Sequence, residues 1–233
     1  FSILIWQFSQ GDIAKNMEIV INNYQVILII TTKNALPKLW ATAQNNLGTA
    51  YSDRIYGDRA ENIENASAAY NGALTVYKDT SPYEWAMTQN NLGLAYSYRI
   101  LGYKADNIEN AIASYQAALT VRTRQDFPID NAETLFKLGL ICQKAQRFNE
   151  AYTTFEQTIE TVESLRSEII SGDETKRKQA EEWNKVYSCM VKVCLELQEY
   201  TQALEYIERS KTRNLVELIL ERDMQSMTLT AYR

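Results

Sequence analysis

Two asparagine pairs, Asn45–Asn46 and Asn90–Asn91, recur in the sequence within the same QNNLG motif, 45 residues apart. An asparagine side chain carries two donors and an acceptor. A ladder of such pairs could therefore hold the backbone of an extended peptide without reading its sequence. The alternative is that Asn45 and Asn90 bridge neighbouring helices and bind nothing. The sequence leaves both interpretations open.

Residue types suited to catalysis are scarce. Histidine is absent, which removes the commonest general base, the commonest metal ligand and every Ser-His or Cys-His nucleophile pair. Three cysteines, Cys142, Cys189 and Cys194, form no CxxC pair, so we expect reduced, packed thiols in an intracellular protein. Neither GxGxxG nor GxxxxGK(S/T) occurs, and carboxylates such as Glu61 and Glu64 fit a helix start, where they favour the dipole. The sequence predicts no enzyme, no metal and no cofactor.

The charge and hydropathy of the chain exclude further classes of partner. The net charge of −5 argues against nucleic acid, because a phosphate backbone demands a basic face. The longest stretch rich in apolar residues, Tyr24–Ile30, is far shorter than the ~20 residues that cross a bilayer. We expect no signal peptide, no membrane partner and a cytoplasmic location. The start at Phe1 and the end at Arg233 suggest a piece of a longer protein.

The elements that would position the asparagines belong to an internal repeat. The block that begins at Trp40 recurs from Trp85, and 25 of its 38 positions are identical. Self-similarity at a fixed period is typical of stacked-repeat proteins, in which each unit contacts only its neighbours. Within each block two apolar stripes of helical period, separated at Gly57 and Gly102, predict antiparallel helices A and B.

The stripes and the prolines set the expected limits of the helices. In the first block helix A carries Leu47, Ala50, Tyr51 and Ile55 at spacings of three and four. Proline is tolerated near a helix start, and the joints between units carry Pro37, Pro82 and Pro128.

We predict six segments. They are a partial N-terminal repeat (1–36, with helix B at 13–32 and a remnant of helix A at Phe1–Gln10), unit 1 (37–81), unit 2 (82–127), unit 3 (128–170), a degenerate unit 4 with a junction helix (171–222), and a tail (223–233). Unit 3 has a loop six residues shorter than the first two. Unit 4 opens on a capping box, with Ser171 as N-cap and Glu174 three residues on.

The residues of the repeat resemble those of the tetratricopeptide repeat. That family pairs Leu-Gly and an aromatic in helix A with Ala, an aromatic and Ala in helix B. The first two units hold these types at Leu47, Gly48, Tyr51, Ala66, Tyr70, Ala73, Leu92, Gly93, Tyr96, Ala111, Tyr115 and Ala118; the third keeps Leu138, Gly139, Ala151 and Phe155. The resemblance implies an all-α fold, an α–α superhelix (a right-handed solenoid) of about four helical hairpins plus the partial N-terminal unit.

Two features differ from the usual tetratricopeptide repeat and indicate which members of the family this chain resembles most. The unit is 45 residues rather than the usual 34 or so, and we assign the excess to about six residues in the A–B joint and one turn of helix B. QNNLG in a long unit resembles kinesin-light-chain-type repeats, and more closely the repeat arrays of cyanobacterial proteins with a caspase-like CHAT protease domain. Residues Ala203–Leu218 resemble the junction that precedes such domains. The protease itself needs a His-Cys dyad, so this chain does not contain it.

In the tetratricopeptide family helix A lines the concave wall, which implies where a protein or peptide would bind. The chaperone-binding clamp of some members starts with a Lys where this chain has Asn45, so that clamp is not assembled here. The side chains expected to face the groove are Thr42, Asn45, Asn46, Thr49, Asp53, Asn90, Asn91, Leu94, Tyr98, Lys137, Leu140 and Lys144.

The sequence thus favours a protein–protein interaction scaffold, acting as the regulatory or sensor arm of a larger protein with a C-terminal CHAT effector. Its partner would be a peptide or protein, including the protease domain of the same protein. The alternative is a structural module that self-associates through open solenoid ends, at Phe1–Phe8 and at the tail from Leu215. The sequence does not decide the oligomeric state.

Overall fold

The structure is a computed structural model that describes residues 12–168 and 183–211. In these ranges the chain is helical and has no strand. The predicted helix remnant at Phe1–Gln10, the capping box at Ser171 and the tail from Leu215 lie outside them. The helices are α1 (Ile13–Ile30), α2 (Pro37–Asp53), α3 (Arg59–Thr80), α4 (Pro82–Tyr98), α5 (Lys104–Leu119), α6 (Pro128–Lys144), α7 (Phe148–Glu168) and α8 (Asn184–Glu196), followed by a helical segment at 200–211.

The helix starts follow from local sequence. Pro37, Pro82 and Pro128 are each the first residue of a helix, where the missing N–H has no intrahelical partner to lose. Asp12 caps α1 by accepting from the backbone N–H of Ala14 at 3.0 Å, and Asp58 caps α3 by accepting from that of Glu61 at 2.9 Å. The all-α repeat fold predicted from the sequence is confirmed.

The chain divides into two compact units, at 1–141 and 142–233. In the first unit, α1 packs against α2, α2 against α3, α3 against α4 and α4 against α5. Each contact buries apolar side chains, which is the main stabilising term of a repeat stack. One cluster joins α1 to α2 through Met17, Ile21 and Leu47, and another joins α3 to α4 through Tyr70 and Leu92.

The glycine of each Leu-Gly pair makes room for a tyrosine from helix B. A Cβ at Gly48 would lie 2.7 Å from the ring of Tyr70, and one at Gly93 would lie 2.9 Å from the ring of Tyr115. Any side chain there would overlap the ring. In each hairpin the tyrosine ring of helix B therefore packs directly against the glycine of helix A.

The A–B joints of the first unit are five residues long, at 54–58 and 99–103. The predicted helix through Ile55 is wrong, because α2 ends at Asp53 and Ile55 is exposed in the joint. The six residues by which the first two repeats exceed the third are also distributed between joint and helix B differently from the prediction. Relative to the 145–147 joint, two lengthen the joint itself and four extend helix B at its N-terminus.

A side-chain clamp fixes each long joint to the preceding helix B. Arg99 donates through Nε and Nη2 to the two carboxylate oxygens of Glu64, at 2.6 and 2.8 Å, and through Nη1 to Asn107 Oδ1 at 3.2 Å. Asn107 Nδ2 in turn donates to the carbonyl of Leu101 at 2.8 Å. Gly102 supplies the left-handed turn, at φ +80°.

The first long joint repeats this clamp one unit earlier. Arg54 pairs with both oxygens of Glu18 at 2.8 and 2.7 Å and donates to Asn62 Oδ1 at 3.3 Å. Asn62 donates to the carbonyl of Tyr56 at 2.9 Å, and Gly57 has φ +81°. Both joints are therefore held by a glutamate, an arginine and an asparagine, and each has a glycine at the equivalent position.

In the second unit α7 packs against α8, and the core holds Val186, Met190 and Val193. The joints at 145–147 and 197–199 close by backbone bonds of the turn itself. Arg147 N donates to the Cys142 carbonyl at 2.9 Å and Glu199 N to the Cys194 carbonyl at 2.8 Å. Gln146 and Gln198 take the left-handed position, at φ 60° and 61°, so each joint is a Schellman-type turn.

Tyrosine and arginine side chains tie the last described helix to α7. Glu163 accepts from Tyr187 Oη at 2.7 Å and from Arg209 Nη2 at 3.0 Å. The guanidinium of Arg209 also lies 5.0 Å from the ring centroid of Tyr206, in cation–π geometry. The segment 200–211, which begins the predicted junction helix, is thus anchored by one shared carboxylate.

Candidate binding surface

The groove residues predicted in the first repeat (37–81) lie on one face of helix α2, except Asn45. Thr42, Asn46, Thr49 and Asp53 follow each other at spacings of four, three and four, which keeps them on one helix face. The equivalent face of α4 carries Asn91, Leu94 and Tyr98, and that of α6 carries Lys137, Leu140 and Lys144. Lys144 belongs to the second compact unit, 142–233.

These faces are accessible to different degrees. Thr42, Asp53 and Tyr98 are exposed, as are Leu140 and Lys144, whereas the rest of the set is half-buried. The half-buried residues are Asn46, Thr49, Asn91, Leu94 and Lys137.

Asn45 and Asn90, in contrast, are buried behind this face. Thr88 Oγ1 on α4 donates to Asn45 Oδ1 on α2 at 3.0 Å, and shares its proton with the carbonyl of Glu84 at 2.7 Å. One repeat later, Thr134 Oγ1 on α6 donates to Asn90 Oδ1 at 3.4 Å. The hydrogen bonds thus favour the bridging interpretation for Asn45 and Asn90 and leave their neighbours Asn46 and Asn91 to face outward.

Hydroxyl groups fix the side chains around the outward amides. Tyr70 Oη donates to Thr49 Oγ1 at 3.3 Å, and Thr49 Oγ1 donates to the carbonyl of Asn45 at 3.3 Å. Burial raises the pKa of Tyr70, so its hydroxyl keeps the proton that this bond needs. Asn45 Nδ2 donates to Asn46 Oδ1 at 3.3 Å. The Asn46 amide is therefore oriented before any ligand arrives.

The charges at the ends of the faces are partly neutralised. Desolvation raises the pKa of Asp53, and the positive charge of Arg59 acts against that rise. Lys137 Nζ pairs with Glu133 Oε1 on its own helix at 2.6 Å. Neutral hydrogen bonding, more than net charge, is what these faces offer a ligand.

Sequence reasoning missed a buried arginine at the joint between α5 and α6. Arg122 is 3% exposed, its Nη2 lies 3.3 Å from Asp130 Oδ1, and its Nη1 donates to Thr134 Oγ1 at 3.1 Å. Asn131 Nδ2 donates to the Arg122 carbonyl at 2.7 Å. The only signal was the last position of the aligned repeat, where Arg122 replaces Tyr77. The arginine extends the buried polar layer that Asn90 and Thr134 begin.

The part of the chain that the structure describes contains no helix long and apolar enough to cross a membrane. Within the same residues no group of three or more His, Cys, Asp or Glu side chains could hold a metal ion.

The comparison with protein families gives one match. The family described as "Uncharacterized protein conserved in bacteria (DUF2225)" matches residues 33–184, which is more than half of the chain. The chain belongs to this family. No curated protein matches it.

Several solved structures have similar folds. The crystal structure of MamA matches with a TM-score of 0.60 at 15% identity and covers 89% of this chain and 98% of that chain. BtubC from P. vanneervenii matches with a TM-score of 0.62 at 16% identity, over 88% of this chain and 73% of that chain. A kinesin light chain from Podosopora anserina, with nearly identical TPR-like repeats, matches with a TM-score of 0.59 at 13% identity, over 91% and 92%.

These matches confirm the tetratricopeptide-type repeat fold that the sequence predicted. The family description names no fold, so the repeat assignment rests on the structure and on these matches. The outward amides on α2 and α4 are hydrogen-bonding groups at the surface of this fold.

Proposed function

We propose that this protein is a protein–protein interaction scaffold that holds an extended segment of a partner against helices α2, α4 and α6. The observation that carries the proposal is the split of each asparagine pair into one buried and one outward amide. Asn45 and Asn90 bridge adjacent A helices, while Asn46 and Asn91 present donors and acceptors at equivalent positions of the same face.

The spacing of the helices suits an extended peptide. Packed helices lie about 8–10 Å apart, and an extended chain advances about 3.3 Å per residue. Each outward amide would therefore meet the peptide backbone about every third residue. Amide-to-backbone bonds do not depend on the side chains of the peptide, so the ladder supplies affinity and the flanking Leu94, Tyr98 and Leu140 supply selectivity.

A peptide-display experiment tests this proposal. A random library of extended peptides would be selected on the chain, and the affinities of the selected peptides compared between the wild type and an Asn46→Ala/Asn91→Ala variant. We expect at least a tenfold loss with only a small fall in melting temperature, because both amides are half-buried and Asn46 makes one hydrogen bond, with Asn45. A lower melting temperature with retained binding would assign these amides a structural role and reject the proposal.

We further propose that the chain is the regulatory arm of a longer protein with a CHAT effector, and that this domain is its partner. Support comes from the resemblance of the QNNLG repeats and of Ala203–Leu218 to such proteins, and from the anchoring of 200–211 through Glu163 and Arg209. A ligand could shift the pose of this segment only by its differential affinity for two poses. Protease activity of the full-length protein, with and without residues 1–199, tests the role; unchanged activity and unchanged partner dependence would reduce the chain to a tether.

Self-association is kept as a second function because of an exposed apolar stripe on α1. Ile19, Val26, Ile29 and Ile30 are exposed on this first described helix, and a stripe of this kind is where chains could pair end to end. Sedimentation at increasing concentration tests it. Dimers that dissociate after Ile29→Ser/Ile30→Ser would support self-association, and a monomer at every concentration would reject it.

A further inference from the structure

The two long joints expose apolar side chains at equivalent positions. Ile55 and Ile100 are 60% and 64% exposed, and Tyr103 is 81% exposed. Both joints leave the ends of A helices within the first unit, so they lie along one edge of its stack. We call this set the joint ridge; it consists of Ile55, Tyr56, Ile100, Leu101 and Tyr103.

The joint ridge is held rigidly although it faces solvent. The clamps of Arg54 and Arg99 tie both joints to the preceding helices, and the amides of Asn62 and Asn107 hold the Tyr56 and Leu101 carbonyls. A surface that is already ordered loses little conformational entropy when it binds.

We propose that the joint ridge is a second binding surface, separate from the groove, and that it takes an amphipathic helix of a partner protein. The direct bond between Asn45 and Thr88 shows that α2 and α4 are adjacent, so the two joints lie about 8–10 Å apart. Apolar side chains at positions i and i+7 of a helix are separated by about 10.5 Å. One such helix can therefore place an anchor on each joint.

The size and charge of the ridge favour a single helix over a second copy of this chain. Five side chains, each offering about half of a large residue's 150–250 Å², present on the order of 500 Å², below the ~800 Å² per partner of a stable complex. The flanking charges have both signs, with Asp58 and Arg59 beside the start of α3 and Lys104 and Asp106 at the start of α5. Recognition would therefore depend on apolar anchors.

The test uses a displayed library of 18-residue helix-forming peptides with apolar residues at i and i+7, selected on the whole chain. The variant Ile100→Ser/Leu101→Ser/Tyr103→Ser should weaken the selected peptides more than tenfold. Ile13→Ser, which changes an equally exposed side chain on α1 outside the apolar stripe, is the control and should leave affinity unchanged. Asn46→Ala/Asn91→Ala should also leave it unchanged, which separates this surface from the groove.

A second variant tests the role of the clamp. Arg99→Ala keeps every apolar side chain of the ridge but releases the joint, so it should weaken the same peptides several-fold. Three results would overturn the inference: selected peptides that depend on Asn46 and Asn91 instead, an equal loss in the α1 control, or sedimentation showing that the ridge variant dissociates a dimer of the wild type.

Discussion

The A–B joints of the compact unit 1–141 and those of the compact unit 142–233 both connect helix A to helix B, but different interactions hold them. At 54–58 and 99–103 an arginine reaches back more than 30 residues to a glutamate on the preceding helix B. At 145–147 and 197–199 the turn closes on its own backbone, with Gln146 and Gln198 in the left-handed region. Arg147 of the third joint forms an ion pair three residues ahead, with Glu150.

This difference shows where coupling between repeats resides. Stability of a stacked protein is the sum of each repeat's own stability and of its contacts with its neighbours. The long joints add a neighbour contact to the turn itself, whereas the backbone bonds that close the short joints are local. The first unit should therefore respond to changes in its joints more strongly than the second.

The largest loss of stability is expected from a substitution in the buried core, and it gives the scale for substitutions in the joints. Leu92 is buried between α3 and α4, so Leu92→Asp would place an unpaired charge there and destabilise the fold by about 4 kcal/mol. Urea unfolding measures it, with Leu101→Asp as the control on the exposed joint, expected within about 0.5 kcal/mol of the wild type. A tolerated Leu92→Asp would mean that the helix register described here is wrong.

Removing the clamp arginine should give the next largest effect. Arg99→Ala deprives Glu64 of both bonds and Asn107 of one, and should destabilise by about 2 kcal/mol. Lys15→Ala removes a local, more exposed pair, with Asp12 three residues before it, and should change stability by no more than about 0.5 kcal/mol. Equal losses in urea unfolding would contradict the distinction between a pair that couples repeats and a local pair.

The left-handed residues should respond in opposite directions in the two kinds of joint. Gly102→Ala forces a side chain into φ +80° and should destabilise by about 1–2 kcal/mol. Gln146→Gly relieves the same strain and should stabilise by up to about 1 kcal/mol. Thermal unfolding of the two single variants measures both, and a common sign would refute the comparison.

Acid should weaken the clamp with a small effect on stability. The hydrogen bond from Arg99 lowers the pKa of Glu64 below its ordinary value of 4.5. Because the folded pKa is the lower one, the stabilisation is complete above pH 4.5 and is lost as the pH falls towards the folded pKa. The melting temperature of Glu64→Gln should therefore lie below that of the wild type at pH 7, and the gap should narrow at pH 3. A gap that widens in acid would have the wrong sign.

Much of the fold could be predicted from sequence because the repeat is nearly identical in its first two copies. The prolines, Gly57, Gly102 and the Leu-Gly pairs each mark a local conformation, and local rules are readable. The end of α2 was missed because Ile55 continues an apolar period that the joint interrupts. Periodicity alone does not reveal where a side-chain clamp ends a helix.

The candidate surface was predicted less completely than the fold. Which asparagine of each pair is buried depends on which face the next repeat covers, and adjacent helix positions differ by a rotation of about 100°. The partners Thr88 and Thr134 are 43 and 44 residues away. Arg122 was missed for the same reason, since its contacts on α6 have no sequence signature. Long-range polar contacts required the structure.

The central claim is that outward amides hold the backbone of a bound segment, and backbone methylation tests it most directly. A peptide selected on the chain would be N-methylated at single positions, and each affinity measured by titration calorimetry against the wild type and Asn91→Ala. We expect at least a tenfold loss for one methylated position in the wild type and no further loss for that peptide in the variant, because the bond is already missing. Equal losses in both proteins at every position would show that Asn91 does not bind the peptide backbone and would contradict the account.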